Sequence, residues 1–217
     1  MRLGMEKKIG VIITSYADYM AKEDLLKQLV YKIKKLDKYL VVVSSHLPVS
    51  TSIQEYADIV LYDKNNVVDE RKYSHGVAEC MLIDQGISAL KYYEVETFHK
   101  LTYDCELNDV SIFEEWERNS YGRKFVGASW GGSCGNPGNG IDGCCFYTDL
   151  NWFKSHFPLY KSIDTMFQVS NMLEVCWGVS LSQQDRNQCY LYPGSLEMFH
   201  DSRYNNGKNR LNIVNNT

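Results

Sequence analysis

The run IGVIITS at 9–15 constrains the fold more than any other stretch of the chain, because its apolar residues occupy both faces before it ends in small hydroxyl residues. A strand of that kind needs cover on both sides, the condition of a parallel strand in the middle of an α/β sheet. From Lys22 to Leu36 the positions Leu25, Leu26, Leu29, Val30, Ile33 and Leu36 recur at steps of three and four, with lysines on the opposite face. That periodicity predicts a surface helix. YLVVVSS at 39–45 is a second buried strand, so the segment forms a right-handed strand, helix, strand crossover. DIVLYD at 58–63 supplies a third strand. The expected fold class is α/β, a single domain with a mainly parallel central sheet flanked by helices.

Further along, residues 64–76 are polar and irregular, and VAECMLIDQGISAL reads as a packed helix in which Gly86 is a weak point. ETFHKLTYDCEL at 96–107 is predicted as a strand that stops at an acidic cluster. DVSIFEEWERNSY at 109–121 is helical by spacing, with Asp109 as its cap, and KFVGASW at 124–130 returns as a strand. GGSCGNPGNGIDG at 131–143 holds six glycines and one proline, the composition of a mobile or tightly turned loop. A strand through CCFY, one helix from Ser162 to Leu181 and an edge strand at QCYLYPG follow. The last segment, SRYNNGKNRLNIVNNT, has too little apolar content to pack independently.

Composition narrows the partners. A chain of 217 residues with 44% hydrophobic side chains forms a core without disulfides, and a net charge of -4 leaves no basic field for nucleic acid. Seven cysteines without a CxxC pair fit a reducing, cytoplasmic setting. The first apolar run is too short for a signal peptide, and no stretch is long enough to span a membrane. GxxxxGK[ST], GxGxxG after the first strand and GxSxG are all missing, which argues against P-loop kinases, dinucleotide dehydrogenases and α/β-hydrolases.

The remaining chemistry centres on Asp104, Cys105 and Glu106. Alternation along an extended segment would put both carboxylates on one side, where they could share a hard cation, Mn²⁺ or Mg²⁺, with positions left for diphosphate oxygens. The plain alternative is a pair of solvated turn residues.

In the order IGVIITS, VVVSSHLP, DIVLYDK, a helix ending ISAL, TYDCEL and then IDGCCFYTDLNWF, the chain resembles the GT-A glycosyltransferases, most of all small bacterial and viral sugar transferases. The resemblance implies a GT-A-like (Rossmann-like) domain whose half 1–106 binds the nucleotide sugar and whose half 107–217 binds the acceptor. It implies a metal-dependent hexosyl transfer from a UDP- or GDP-linked sugar to a glycan or other hydroxyl acceptor. Thr14, Ser15 and Tyr16 would meet the nucleotide, His46 and Asp63 would stand at the next two strand ends, and Asp104 would adjoin both nucleotide and metal. Asp104 and Glu106 take the DxD places, with Glu a longer reach than the usual Asp, and His200 matches a further C-terminal ligand.

An inverting reaction needs a carboxylate base, for which Asp142 beside the glycine loop is the first choice and Glu174 in apolar company the second. A retaining reaction needs neither in that role. Other residues carry plainer readings: His46 as a turn cap before Pro48, His75 and His99 as surface or strand residues, His156 as a helix end. Cys144, Cys145, Trp152 and Trp177 read as core, while Trp130 adjoins the glycine loop and could stack on a sugar. The competing functions are a nucleotidyltransferase, which would normally carry a glycine-rich basic loop where this chain has ITSYADY, and a non-catalytic carbohydrate-binding or assembly module.

Overall fold

The computed structural model describes residues 9–16, 20–62, 75–107, 110–130, 140–169, 173–192, 196–200 and 209–213, with backbone alone at 21, 106, 107, 129, 130, 142, 192, 196–200 and 209–213. β1 (Ile9–Ser15), α1 (Met20–Lys34) and β2 (Tyr39–Ser45) form the expected crossover. A short helix the hydropathy does not signal, α2 (Thr51–Tyr56), leads into β3 (Ile59–Tyr62). Then come α3 (His75–Tyr92), β4 (Thr97–Thr102), β5 (Cys105–Leu107) and α4 (Ser111–Asn119). β6 (Phe125–Trp130) and β7 (Gly140–Asp149) are followed by α5 (Leu150–His156), α6 (Leu159–Gln168), α7 (Leu173–Ser180) and α8 (Gln183–Arg186). β8 (Cys189–Tyr192), β9 (Leu196–His200) and β10 (Asn209–Ile213) complete the order.

Seven strands make one sheet in the order β3-β2-β1-β4-β7-β6-β8. Only β7 runs against its neighbours, so the sheet is mainly parallel, as the buried runs at 9–15 and 39–45 require. One face carries Ile12, Phe98, Phe146, Phe153 and Trp177 under α3 and α5 to α7, and the other carries Val11, Ile13, Leu26, Phe113 and Trp116 under α1 and α4. Gly86 is the contact point of α3 on β1 rather than a defect in the helix. A Cβ there would lie 2.7 Å from Ile12 Cγ2, so any larger residue would force Ile12 or the helix to shift.

Four expectations need correction. The segment 96–107 is not one strand: β4 ends at Thr102, Tyr103 and Asp104 turn, and β5 starts a second, three-stranded sheet in the order β5-β10-β9. The single helix from Ser162 to Leu181 is two helices, α6 and α7. The polar C-terminal segment does contribute a strand, since Asn209–Ile213 finds backbone partners on both sides and needs no core of its own. The residue preceding α4 is Val110, and Asp109 lies outside the described residues.

Of the two plain readings of His99, surface or strand, the strand one holds: it lies in β4, fully buried, with its ring stacked 4.1 Å from that of Phe113. Burial pushes its pKa down against the pull of Glu117; Nε2 lies 3.0 Å from Glu117 Oε1, and Nδ1 is buried without a partner. Burial opposes the Glu117 charge, but hydrogen bonds from His99, Lys38 and Tyr39 outweigh it and bring the carboxyl down to about 2. A folded pKa below the ordinary 4.5 means this contribution is complete above that pH and disappears as pH falls toward 2. We expect Glu117→Gln to cost about 2 kcal/mol at pH 7 in urea titrations, with the gap to the wild type closing at low pH. A gap independent of pH would contradict that assignment.

Candidate active site

The carboxyl ends of β1, β2 and β4 meet in one place because their registers align Thr14 with both Ser44 and Thr102. Beyond these pairs the chain turns over the sheet edge: the amide of His46 donates to the Ser15 carbonyl at 3.1 Å, and that of Tyr103 donates to the Thr14 carbonyl at 2.9 Å. Tyr16 and His46 pack edge to face at 5.7 Å, and the Lys22 ammonium lies 5.5 Å from the Tyr16 ring and 6.0 Å from that of Tyr103. Ser15 Oγ is buried with no hydrogen-bond partner. Five of the residues expected at a nucleotide, Thr14, Ser15, Tyr16, His46 and Asp104, therefore share this edge. Asp63 lies outside the described residues.

Asp104 sits in the turn immediately after β4. Burial raises its carboxyl above the ordinary range, while a hydrogen bond from Thr102 and the charge of Lys100 pull the other way. Because Asp104 lies in a turn, the strand alternation that would align it with Glu106 does not run through it. Glu106 is in β5, paired with Arg210 of β10, and its side chain lies outside the described residues. His200 pairs with Asn209, which in turn pairs with Cys105, so two strand spacings, about 10 Å, separate the His200 and Cys105 backbones. The C-terminal strands thus return to the acidic turn, although the His200 side chain is not described.

β7 brings the two candidate bases to the same edge. The β4–β7 pairing ends at Leu101↔Cys145, three residues before Asp104 and three residues after Asp142. Asp142 is described in its backbone only. Glu174 of α7 packs against the next residue, since a Cβ on Gly143 would lie 3.3 Å from Glu174 Oε1.

Sequence reasoning missed Glu79 and Lys100. Lys100 is fully buried, forms an ion pair with Glu79 of α3 and donates to the Gly143 carbonyl at 2.6 Å. The Thr14 hydroxyl lies 2.7 Å from Glu79 Oε1 and 3.2 Å from the Leu101 carbonyl. Burial opposes the Lys100 charge, yet Glu79 outweighs it and holds the ammonium above the ordinary lysine range. A signal was available: Lys100 shares strand parity with Phe98 and Thr102, the side of β4 that α3 covers, and a lysine there requires an acid on the covering helix.

Among the described residues no three His, Cys, Asp or Glu side chains converge as a ready-made metal cluster. Of the three expected ligands only the Asp104 side chain is described, and a single carboxylate is a donor that Mg²⁺ takes beside substrate phosphates and water. Cys80, Cys105, Cys144, Cys145, Cys176 and Cys189 form no disulfide among the described residues. No helix among the described residues is long and apolar enough to cross a membrane. A separate cavity of about 190 Å³ between α3 and α5 to α7, lined by Ile83, Ile87, Phe153, Phe157 and Trp177, contains none of the expected site residues.

The mainly parallel sheet with its single reversed strand and flanking helices is a GT-A-type, Rossmann-like fold. Solved structures with this architecture include the 4-diphosphocytidyl-2C-methyl-D-erythritol synthase of Anaerococcus prevotii, at TM-score 0.59 and 12% identity over 87% of this chain and 90% of that one. A glycosyltransferase involved in glycosylation of the major capsid of PBCV-1 matches at TM-score 0.53 and 9% identity, over 85% of this chain and 81% of its own. The glycosyltransferase GlyE of Streptococcus pneumoniae matches at TM-score 0.51 and 10% identity, over 86% of this chain and 45% of its own. By sequence the chain matches no protein-family model and no curated protein.

Proposed function

We propose that this chain is a glycosyltransferase that moves a sugar, of hexosyl type, from a nucleotide-diphosphate sugar to a hydroxyl group of a glycan or other acceptor. The observation that supports this most is Asp104, a carboxyl at the tip of β4 beside the end of β1, on the edge where the start of β7 and Glu174 also lie. The half 1–106 would hold the donor and 107–217 the acceptor. At the donor end the Tyr16 and His46 rings would supply an aromatic wall for a base or ribose. Asp104, with Glu106 and His200 as further ligands, would hold Mn²⁺ or Mg²⁺. When bound, that ion would neutralise charge growing on the departing nucleoside diphosphate.

In an inverting reaction the acceptor oxygen bonds to the anomeric carbon as the carbon–oxygen bond to the diphosphate breaks, and the acceptor proton passes to a carboxylate. Asp142 is the first candidate for that base and Glu174 the second. In a retaining reaction the same acids would orient the acceptor.

Nucleotidyl transfer is the second reading, since the synthase of Anaerococcus prevotii shares the fold over most of both chains. Against it stands ITSYADY, which has neither glycine nor a basic side chain to hold a triphosphate after the first strand. Thermal shift against UDP- and GDP-sugars, and against CTP, with and without Mn²⁺, separates the readings, because a specific ligand raises the melting temperature by mass action. We expect a nucleotide sugar with Mn²⁺ to raise it by several degrees and to release nucleoside diphosphate on turnover. Pyrophosphate release from CTP would favour nucleotidyl transfer, and glycan binding without metal or nucleotide would favour a binding module.

A further inference from the structure

Lys100 is the only lysine or arginine in the buried set among the described residues. Stability gives it no reason to be there, since a buried ion pair commonly does no better than apolar side chains of the same volume, whereas breaking one by removing a single partner is costly. What the pair does provide is connection. The Lys100 ammonium joins β4 to α3 through Glu79 and to the start of β7 through the Gly143 carbonyl, and Glu79 joins α3 to β1 through the Thr14 hydroxyl. Gly143 is flanked by Asp142 and touched by Glu174, while Asp104 lies four residues beyond Lys100 on the chain.

We propose that Lys100 and Glu79 are a positioning pair: by holding the Gly143 carbonyl against β4, they set the distance between the acid at the end of β4, Asp104, and the acids at the start of β7 and on α7, Asp142 and Glu174. This role rests on the transferase reading given above. It assigns the two residues no contact with substrate. Lys100 is fully buried, and its ammonium is held by Glu79 and the Gly143 carbonyl, so the pair acts through the backbone it restrains.

The test compares the wild type with Lys100→Met and with Lys100→Met/Glu79→Gln. Lys100→Met leaves Glu79 without its cation and should lower the melting temperature, and the double variant, which removes both charges while keeping an acceptor for Thr14, should restore it. In the double variant, hydrogen exchange across 140–146 should stay at least about tenfold faster than in the wild type, and kcat should remain about 10- to 100-fold low with KM for the nucleotide sugar little changed. Wild-type exchange and kcat in a restored fold would overturn the positioning role and reduce the pair to structure. If the wild type turns over no nucleotide sugar, the transferase reading fails instead, and the exchange result still decides the restraint. A nuclear Overhauser contact from the Lys100 ammonium to the Gly143 α-protons in the wild type needs no variant, and its absence at low temperature would also overturn the proposal.

Discussion

Asp104→Asn is expected to lower kcat for nucleotide-sugar turnover by about 100- to 1,000-fold, the usual scale for removing one group that stabilises transition-state charge. The substitution keeps the size and planarity of the side chain and its ability to meet Thr102, and it removes only the negative charge. That charge is disfavoured by burial in the ligand-free fold, so a neutral amide should leave stability within about 1 kcal/mol of the wild type. Activity and stability therefore part company at this position, and circular dichroism melts run beside the kinetics would register both. An unchanged rate would remove Asp104 from the chemistry. A collapse in stability with loss of rate would make it a structural acid.

The largest stability effect is expected at Phe146, which stands opposite Lys100 in the β4–β7 pairing. Its ring is fully buried in β7, stacked on Phe153 at 5.3 Å and on Phe125 at 5.1 Å, with Trp177 edge-on at 5.7 Å and Phe98 at 6.0 Å. Those partners come from α5, β6, α7 and β4, so the ring joins the reversed strand to both its neighbours and to the helices above. Phe146→Ala would open a cavity that none of these elements can close alone, at a cost of about 3–5 kcal/mol. In a domain of this size that corresponds to a fall in melting temperature of roughly 10 °C. Phe146→Leu should lose less than half as much, and equal losses for the two variants would contradict the packing argument.

Much of this architecture is legible in the sequence, for physical reasons. The runs at 9–15 and 39–45 are apolar on both faces because both faces of the sheet are covered there, and that pattern has few other solutions. The break between α6 and α7 was missed because apolar spacing persists on both sides of it. β10 was missed because its segment is polar and gains its order from backbone pairing with β5 and β9. The strand-end residues from Thr14 to Tyr16, His46 and Asp104 were readable because strand order alone brings them to one edge. Lys100 and Glu79 were not, because a lysine within a strand reads as solvent-facing until the covering helix and its acid are known. Gly86 was misread for a related reason: its value lies in the approach to Ile12, which no local pattern carries.

The most direct test of the account is a crystal of the protein grown with UDP or GDP and Mn²⁺, with diffraction data collected at the manganese edge. An anomalous peak bonded at about 2.0–2.3 Å to an Asp104 carboxylate oxygen and to the nucleotide diphosphate, beside the ends of β1 and β4, is the predicted result. A diphosphate bound elsewhere on the protein, or bound at this edge with manganese absent from Asp104, would contradict it.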